Sequence, residues 1–210
     1  MTPRKLTRDR VLYAGIGVVE DLGVGALDLV HVARALHVLP STLQRFIPEP
    51  EVQALVVDHL LSDMPSISAG KNWSWHLESW ARRTRQWVVR YPGMAWYLSR
   101  SCLERAETLD VLEVAVALVG QAGVPEAERF NVAHGFVWFV LGRAGDDEAL
   151  RGEGTAPDAL LGPATPRLAL ASSVRGHLGT DPEIHFNTSV RVMLDGIAKV
   201  ARRHRVEDPS

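Results

Sequence analysis

Five side chains near the start of this 210-residue chain have the types and spacing to read DNA: Arg34, Ser41, Thr42, Gln44 and Arg45. A glutamine amide matches the adenine edge in the major groove, and an arginine can bond bidentately to guanine, so Gln44 and Arg45 are the specificity candidates. Thr42 and Arg34 suit phosphate oxygens. A second set lies further along. Trp73, Trp75, Trp80, Trp87, Trp96 and Trp138, all six tryptophans, follow residue 63. Such rings fill cores, and they also wall pockets for flat or greasy molecules. Trp87, Met94, Trp96, Tyr97 and Trp138 are the candidate lining of such a pocket. Asn131 and His134, on the same helix as Trp138, are its candidate polar anchors.

These side chains need helices to hold them. Leu12, Ile16, Val19 and Leu22 keep helical spacing behind Thr7, a suitable N-cap, and Gly23 and Gly25 stop that helix. Asp28 can cap a short second helix with Leu29, Val32, Ala33 and Leu36 on one face. Residues 37–41 turn the chain, residues 41–47 form a third helix, and residues 51–61 a fourth. Two short helices joined by a tight turn and braced by a longer one is the helix-turn-helix plan, which lays its second helix in a DNA groove. Pro65, Ser66, Ser68 and Gly70 then interrupt the periodicity, which places a boundary near residues 63–71 and two domains at 1–63 and 64–210.

Six further helices are legible. Asn72 can cap a long one reaching Tyr91, and Pro92-Gly93 breaks it. Others cover residues 94–101, 109–121, the stretch from Pro125 to Gly142, residues 167–177, and a last one starting at Asp181-Pro182 and ending in a basic run (Lys199, Arg202, Arg203, His204, Arg205). Residues 145–166, rich in Gly, Pro, Asp and Glu, read as a surface loop. No strand pattern and no internal repeat emerges. The fold class expected is all-α, about ten helices in all.

Composition narrows the function. An apolar fraction of 46% supports a real core, and a net charge of −2 argues against bulk polyanion binding. The single cysteine, Cys102, excludes an intramolecular disulfide and fits a reducing cytosol. No signal-like opening and no apolar run near the ~20 residues of a membrane span is present; a soluble cytoplasmic protein with no membrane partner is expected. His76-x-Glu78 and His185-x-Asn187 lack partners at metal-ligand spacing. No phosphate loop or nucleophile elbow occurs. No metal and no cofactor is therefore expected.

Residues 6–12, Gly23 through Leu27, Val32-Ala33-Arg34-Ala35-Leu36 and residues 38–51 resemble the N-terminal domain of TetR-family transcription regulators. The resemblance continues: Trp80-Ala81-Arg82-Arg83 running to Arg90-Tyr91-Pro92-Gly93 is similar to that family's R-x-P-G joint, and Phe186 with Met193-Leu194-Asp195-Gly196-Ile197 looks like its closing helix. It implies a two-domain, all-helical homodimer, in most members a repressor released from a palindromic operator by a small ligand held inside the C-terminal bundle. It also implies a four-helix dimer interface from the helices around residues 130–142 and 183–200, where Gly135, Gly142 and Gly196 permit close approach.

The chain departs from that pattern at several DNA-contact positions. Gln44 stands where members usually have Tyr, Phe46 where they have His, Pro50 where they have Lys, and His37 where the turn usually has Gly. Across residues 1–63, Arg4, Lys5, Arg8, Arg10, Arg34 and Arg45 supply six positive charges. Asp9, Glu20, Asp21, Asp28, Glu49, Glu51, Asp58 and Asp63 supply eight negative ones, leaving −2. A module meant for phosphates is usually basic. Two functions stay open at this point: a ligand-responsive regulator bound to double-stranded DNA, or a TetR-like fold that has lost DNA binding. The second would use its aromatic pocket to sequester a small molecule, or to catalyse a cyclisation or isomerisation with His134 or His76 as the acid-base group.

Overall fold

Thr7 starts the fold: its hydroxyl accepts the Arg10 N–H at 3.3 Å and caps α1 (Arg8–Leu22). Gly23, at φ 85°, ends that helix, and a single 3-10 turn (Val24–Ala26) leads on. Asp28 caps α2 (Leu29–Ala35) by accepting the His31 N–H at 2.8 Å. That bond, from the His31 backbone first of all, holds the Asp28 carboxyl below its ordinary pKa. The computed structural model describes residues 5–101, 105–149 and 181–207, and these are helical or connecting segments with no strand among them.

The turn after α2 closes as a Schellman motif. Val38 N–H bonds Ala33 C=O and His37 N–H bonds Arg34 C=O, with His37 at φ 57° in the left-handed region that glycine usually fills. Pro40 opens α3 (Pro40–Phe46), one residue earlier than the periodicity indicated, because a first-turn proline gives up no needed N–H. The same reason moves the start of α4 (Glu49–Ser62) ahead of Pro50. α1 packs on α2 and α4, and α2 on α3, around buried Val11, Val19, Val32, Leu43 and Val56.

After Asn72, whose side chain accepts the Trp75 N–H, come α5 (Trp73–Arg90), α6 (Met94–Ser101), α7 (Ala106–Gln121), α8 (Glu126–Ala149) and α9 (Pro182–Glu207). α8 is the axis of this bundle: it packs on α5, α6, α7 and α9 through Ala133, Phe136, Val137, Val140 and Ala144. It passes Gly142 and continues to Ala149, since buried Leu141 and Ala144 offset the ~1 kcal/mol a mid-helix glycine costs. Cys102, most of the expected 145–166 loop and the expected helix at 167–177 lie outside the described residues, as do the side chains of His204 and Arg205.

The N-terminal helices meet the bundle at two poles. At one, Val24 N–H bonds Pro92 C=O at 2.7 Å and Arg90 bonds Glu20 at 2.9 Å. Gly23 faces Pro92 and Gly93 faces Val24 there, both glycines at positive φ; a Cβ on Gly93 would lie 2.7 Å from Val24 Cγ1. At the other pole, Arg105 bonds Asp58 of α4 at 2.8 Å.

Candidate DNA-reading face and ligand-binding bundle

Leu43 sets the orientation of α3. It is fully buried against the N-terminal core, which turns Ser41, Gln44 and Arg45 to solvent and leaves Thr42 half-buried. Arg34, near the end of α2, is exposed beside the turn. The five DNA-reading candidates are thus carried by α2 and α3, four of them open to water. Their electrostatics set them apart. Arg8 is paired with Glu51 at 3.1 Å and Arg90 with Glu20, whereas among the described residues Arg34 and Arg45 have no carboxylate partner. Arg45 makes only a long 3.4 Å bond to Ser41 C=O. The face is also ringed by exposed Leu39 and Phe46.

The ligand-lining candidates fall in three places. Trp87 and Met94 lie in the bundle interior. Trp96 and Tyr97 face a groove between α4 and α6. Asn131, His134 and Trp138 sit together on α8, with Asn131 exposed and the other two half-buried. Trp138 Nε1–H donates to His134 Nε2 at 2.7 Å and Phe130 stacks on the imidazole, so that nitrogen is already an acceptor in the neutral tautomer.

The interior has its own signature. Trp80 is fully buried, its Nε1–H satisfied by Pro65 C=O at 2.9 Å. One turn on, Thr84 Oγ1 is buried with no hydrogen-bond partner among the described residues, and so is Trp87 Nε1. Positions 84 and 87 share one face of α5. Beside them the Arg85 guanidinium lies 5.6 Å over the Phe186 ring of α9, a cation held against an aromatic wall. Buried polar atoms are nearly always paired. These two lie one turn apart on α5, next to the buried Arg85 guanidinium. Sequence reading named Trp87 and missed Thr84 and Arg85. The signal was present: Thr84 falls in the same stripe as Leu77, Trp80 and Trp87, a hydroxyl where an apolar residue belongs.

A helix-turn-helix unit with outward cations is thus fixed on a helical bundle with buried polar atoms inside, an all-α architecture among the described residues. The family model "Tetracyclin repressor-like, C-terminal domain" matches residues 65–201. The chain therefore belongs to the tetracycline-repressor-like (TetR) family. It is 24% identical over 219 residues to the HTH-type transcriptional repressor DrrR1 of Streptomyces coeruleorubidus, covering 96% of this chain and 81% of that protein. BioQ of Mycobacterium smegmatis shares the fold at a TM-score of 0.65 and 22% identity, over 93% of this chain and 99% of BioQ. BioQ bound to its double-stranded DNA operator does so at 0.63, 19% identity and the same coverage. ActR of Streptomyces coelicolor in complex with actinorhodin matches at 0.64 and 19%, over 94% of this chain and 99% of ActR. No helix among the described residues is long and apolar enough to cross a membrane.

Proposed function

We propose that this protein is a ligand-responsive transcriptional regulator, a repressor that binds a palindromic operator as a homodimer in the cytoplasm and lets go when a small apolar or aromatic molecule enters its C-terminal bundle. Residues 1–63 are the DNA-binding domain and residues 64–210 the ligand-binding and dimerisation domain. The observation that carries this reading is the solvent face of α3, where Gln44 and Arg45 project outward, and beside it Arg34 of α2; among the described residues neither arginine has a carboxylate partner. Gln44 and Arg45 read base edges; Arg34, Ser41 and Thr42 hold the backbone. The negative sum of residues 1–63 makes affinity modest and its salt dependence shallow, because few counterions are released.

The exposed flank of α8 and α9 supports the homodimer. Phe130, Ile184 and Val192 are exposed there, and a Cβ on Gly135, Gly142 or Gly196 would meet nothing within 4 Å, so a second copy can approach closely. A twofold pair would set its recognition helices about one DNA turn, ~34 Å, apart. The ligand's polar atoms meet Thr84 and Trp87, and its apolar part packs beside Met94. Joined at Val24–Pro92, a shift of α6 would carry the N-terminal helices with it.

The relatives named above support this reading: DrrR1 is a repressor, BioQ holds an operator and ActR a ligand. Selection of bound fragments from genomic DNA, followed by mobility shifts at low and moderate salt, tests it. The expected result is enrichment of a palindrome with half-sites one turn apart. No enrichment even at low salt overturns the regulator and leaves a TetR-fold small-molecule binder or enzyme, the reading that the acidic N-terminal domain favours.

A further inference from the structure

The two poles that join the N-terminal helices to the bundle leave space between them. A groove of about 440 Å³ lies there, within the size range of small-molecule sites. One wall is Pro50, Gln53 and Ala54, successive positions on one face of α4, and the other is Trp96, Tyr97 and Arg105. Trp96 is 61% exposed, and the Arg100 guanidinium lies 4.6 Å over its ring. Arg105 is fixed from two sides: one Nη donates to the Tyr97 hydroxyl at 2.6 Å, the other to Asp58 at 2.8 Å. Asp58 is 60% exposed, so its carboxylate returns to water at small cost when another anion takes its place. The groove therefore offers an aromatic platform, a braced cation with a replaceable partner, and an opposite wall of Pro50, Ala54 and the Gln53 side chain, whose amide is held by Leu27 C=O.

We propose that this groove is a second small-molecule site, separate from the bundle interior, for planar aromatic carboxylates. The ring lies between Trp96 and the α4 wall, and the carboxylate takes Arg105 in place of Asp58. The site goes beyond the ligand pocket of the bundle and needs no DNA to act. Its position gives it a consequence. Asp58–Arg105 is the ion pair at one pole of the joint, so an occupant releases α4 there while Val24–Pro92 and Arg90–Glu20 hold the other pole.

Titration calorimetry of the full chain with 2-naphthoate, against its uncharged amide 2-naphthamide, tests the site. Naphthoate is expected to bind at least tenfold more tightly than the amide. Arg105→Gln and Trp96→Ala should each weaken it at least tenfold. Ala54→Trp, at an exposed position where folding is not at stake, should block the groove and remove the binding heat. Thr84→Val, in the bundle, should leave it unchanged. Absence of binding at millimolar naphthoate, equal affinity for the amide, or indifference to Ala54→Trp overturns the proposal. So does loss on Thr84→Val, which would move the anion into the bundle.

Discussion

The N-terminal four helices and the bundle both keep hydrogen-bonding capacity in reserve, but in opposite places. In the first, Arg34, Gln44 and Arg45 hold theirs at the surface, while Arg8 and Glu51 pair with each other. In the bundle, Thr84 and Trp87 hold theirs inside, at atoms closed off from bulk solvent. Exposed cations without a carboxylate partner cost little and, on the function proposed, meet the phosphates of DNA. Buried unpaired polar groups cost free energy, which a ligand able to hydrogen-bond them would recover. On the function proposed above, this contrast is what separates the DNA-reading face from the ligand site.

That contrast can be attacked from both sides. The largest effect belongs to the satisfied interior. Trp80→Ala removes a fully buried ring and should cost ~3–5 kcal/mol of stability. The exposed Trp96→Ala should stay within about 0.5 kcal/mol; comparable losses in thermal melts would mean that the two tryptophans are not in different environments. Next comes the joint. Gly93→Ala places a Cβ 2.7 Å from Val24 and asks a residue to hold positive φ, so a loss of ~1–2 kcal/mol is expected, together with weaker ligand control of DNA binding. Thr84→Val should act with the opposite sign. Removing an unpaired buried hydroxyl leaves the empty protein as stable or more stable, by up to ~1 kcal/mol, while ligand affinity falls. A clear loss of stability there would show that the hydroxyl has a partner.

The smallest effect is the α2 cap. Asp28→Ala should cost ~1 kcal/mol, a fall of ~2–4 °C in Tm for a chain of this size. Its pH dependence has a definite sign. The carboxyl is held below its ordinary value of 3.8, so its contribution is present above that value and is lost as pH falls below it through the folded-state pKa. Asp28→Asn keeps a cap and should flatten that part of the acid limb. An unchanged limb in guanidinium titrations at pH 3 and pH 5 would detach Asp28 from it.

Most of the helical frame was legible because its punctuation is local. Thr7, Asp28 and Asn72 bond the N–H three residues on, and Gly23, His37 and Gly93 take the positive φ that their turns demand. Boundaries slipped where proline was read as a stop and serves instead as a first-turn residue, at Pro40 and Pro50. The outward set on α3 was legible too, since burying Leu43 fixes the direction of its neighbours. The aromatic set was less so. Trp87, Trp96 and Trp138 have one composition and three environments, and only packing between helices distant in sequence decides which ring is covered. Arg105 could not be singled out at all, because its role depends on Asp58, 47 residues away.

The central claim is that α3 reads sequence. Its most direct test is the affinity of the wild type and of the Gln44→Ala/Arg45→Ala variant for the selected operator and for a scrambled fragment of equal length, at one salt concentration. With each base-reading pair worth ~1–3 kcal/mol, the variant should lose roughly a hundredfold or more on the operator and little on the scrambled fragment. Stability should be unchanged within about 0.5 kcal/mol. If the variant keeps the full preference for the operator, α3 is not the reader and the account fails.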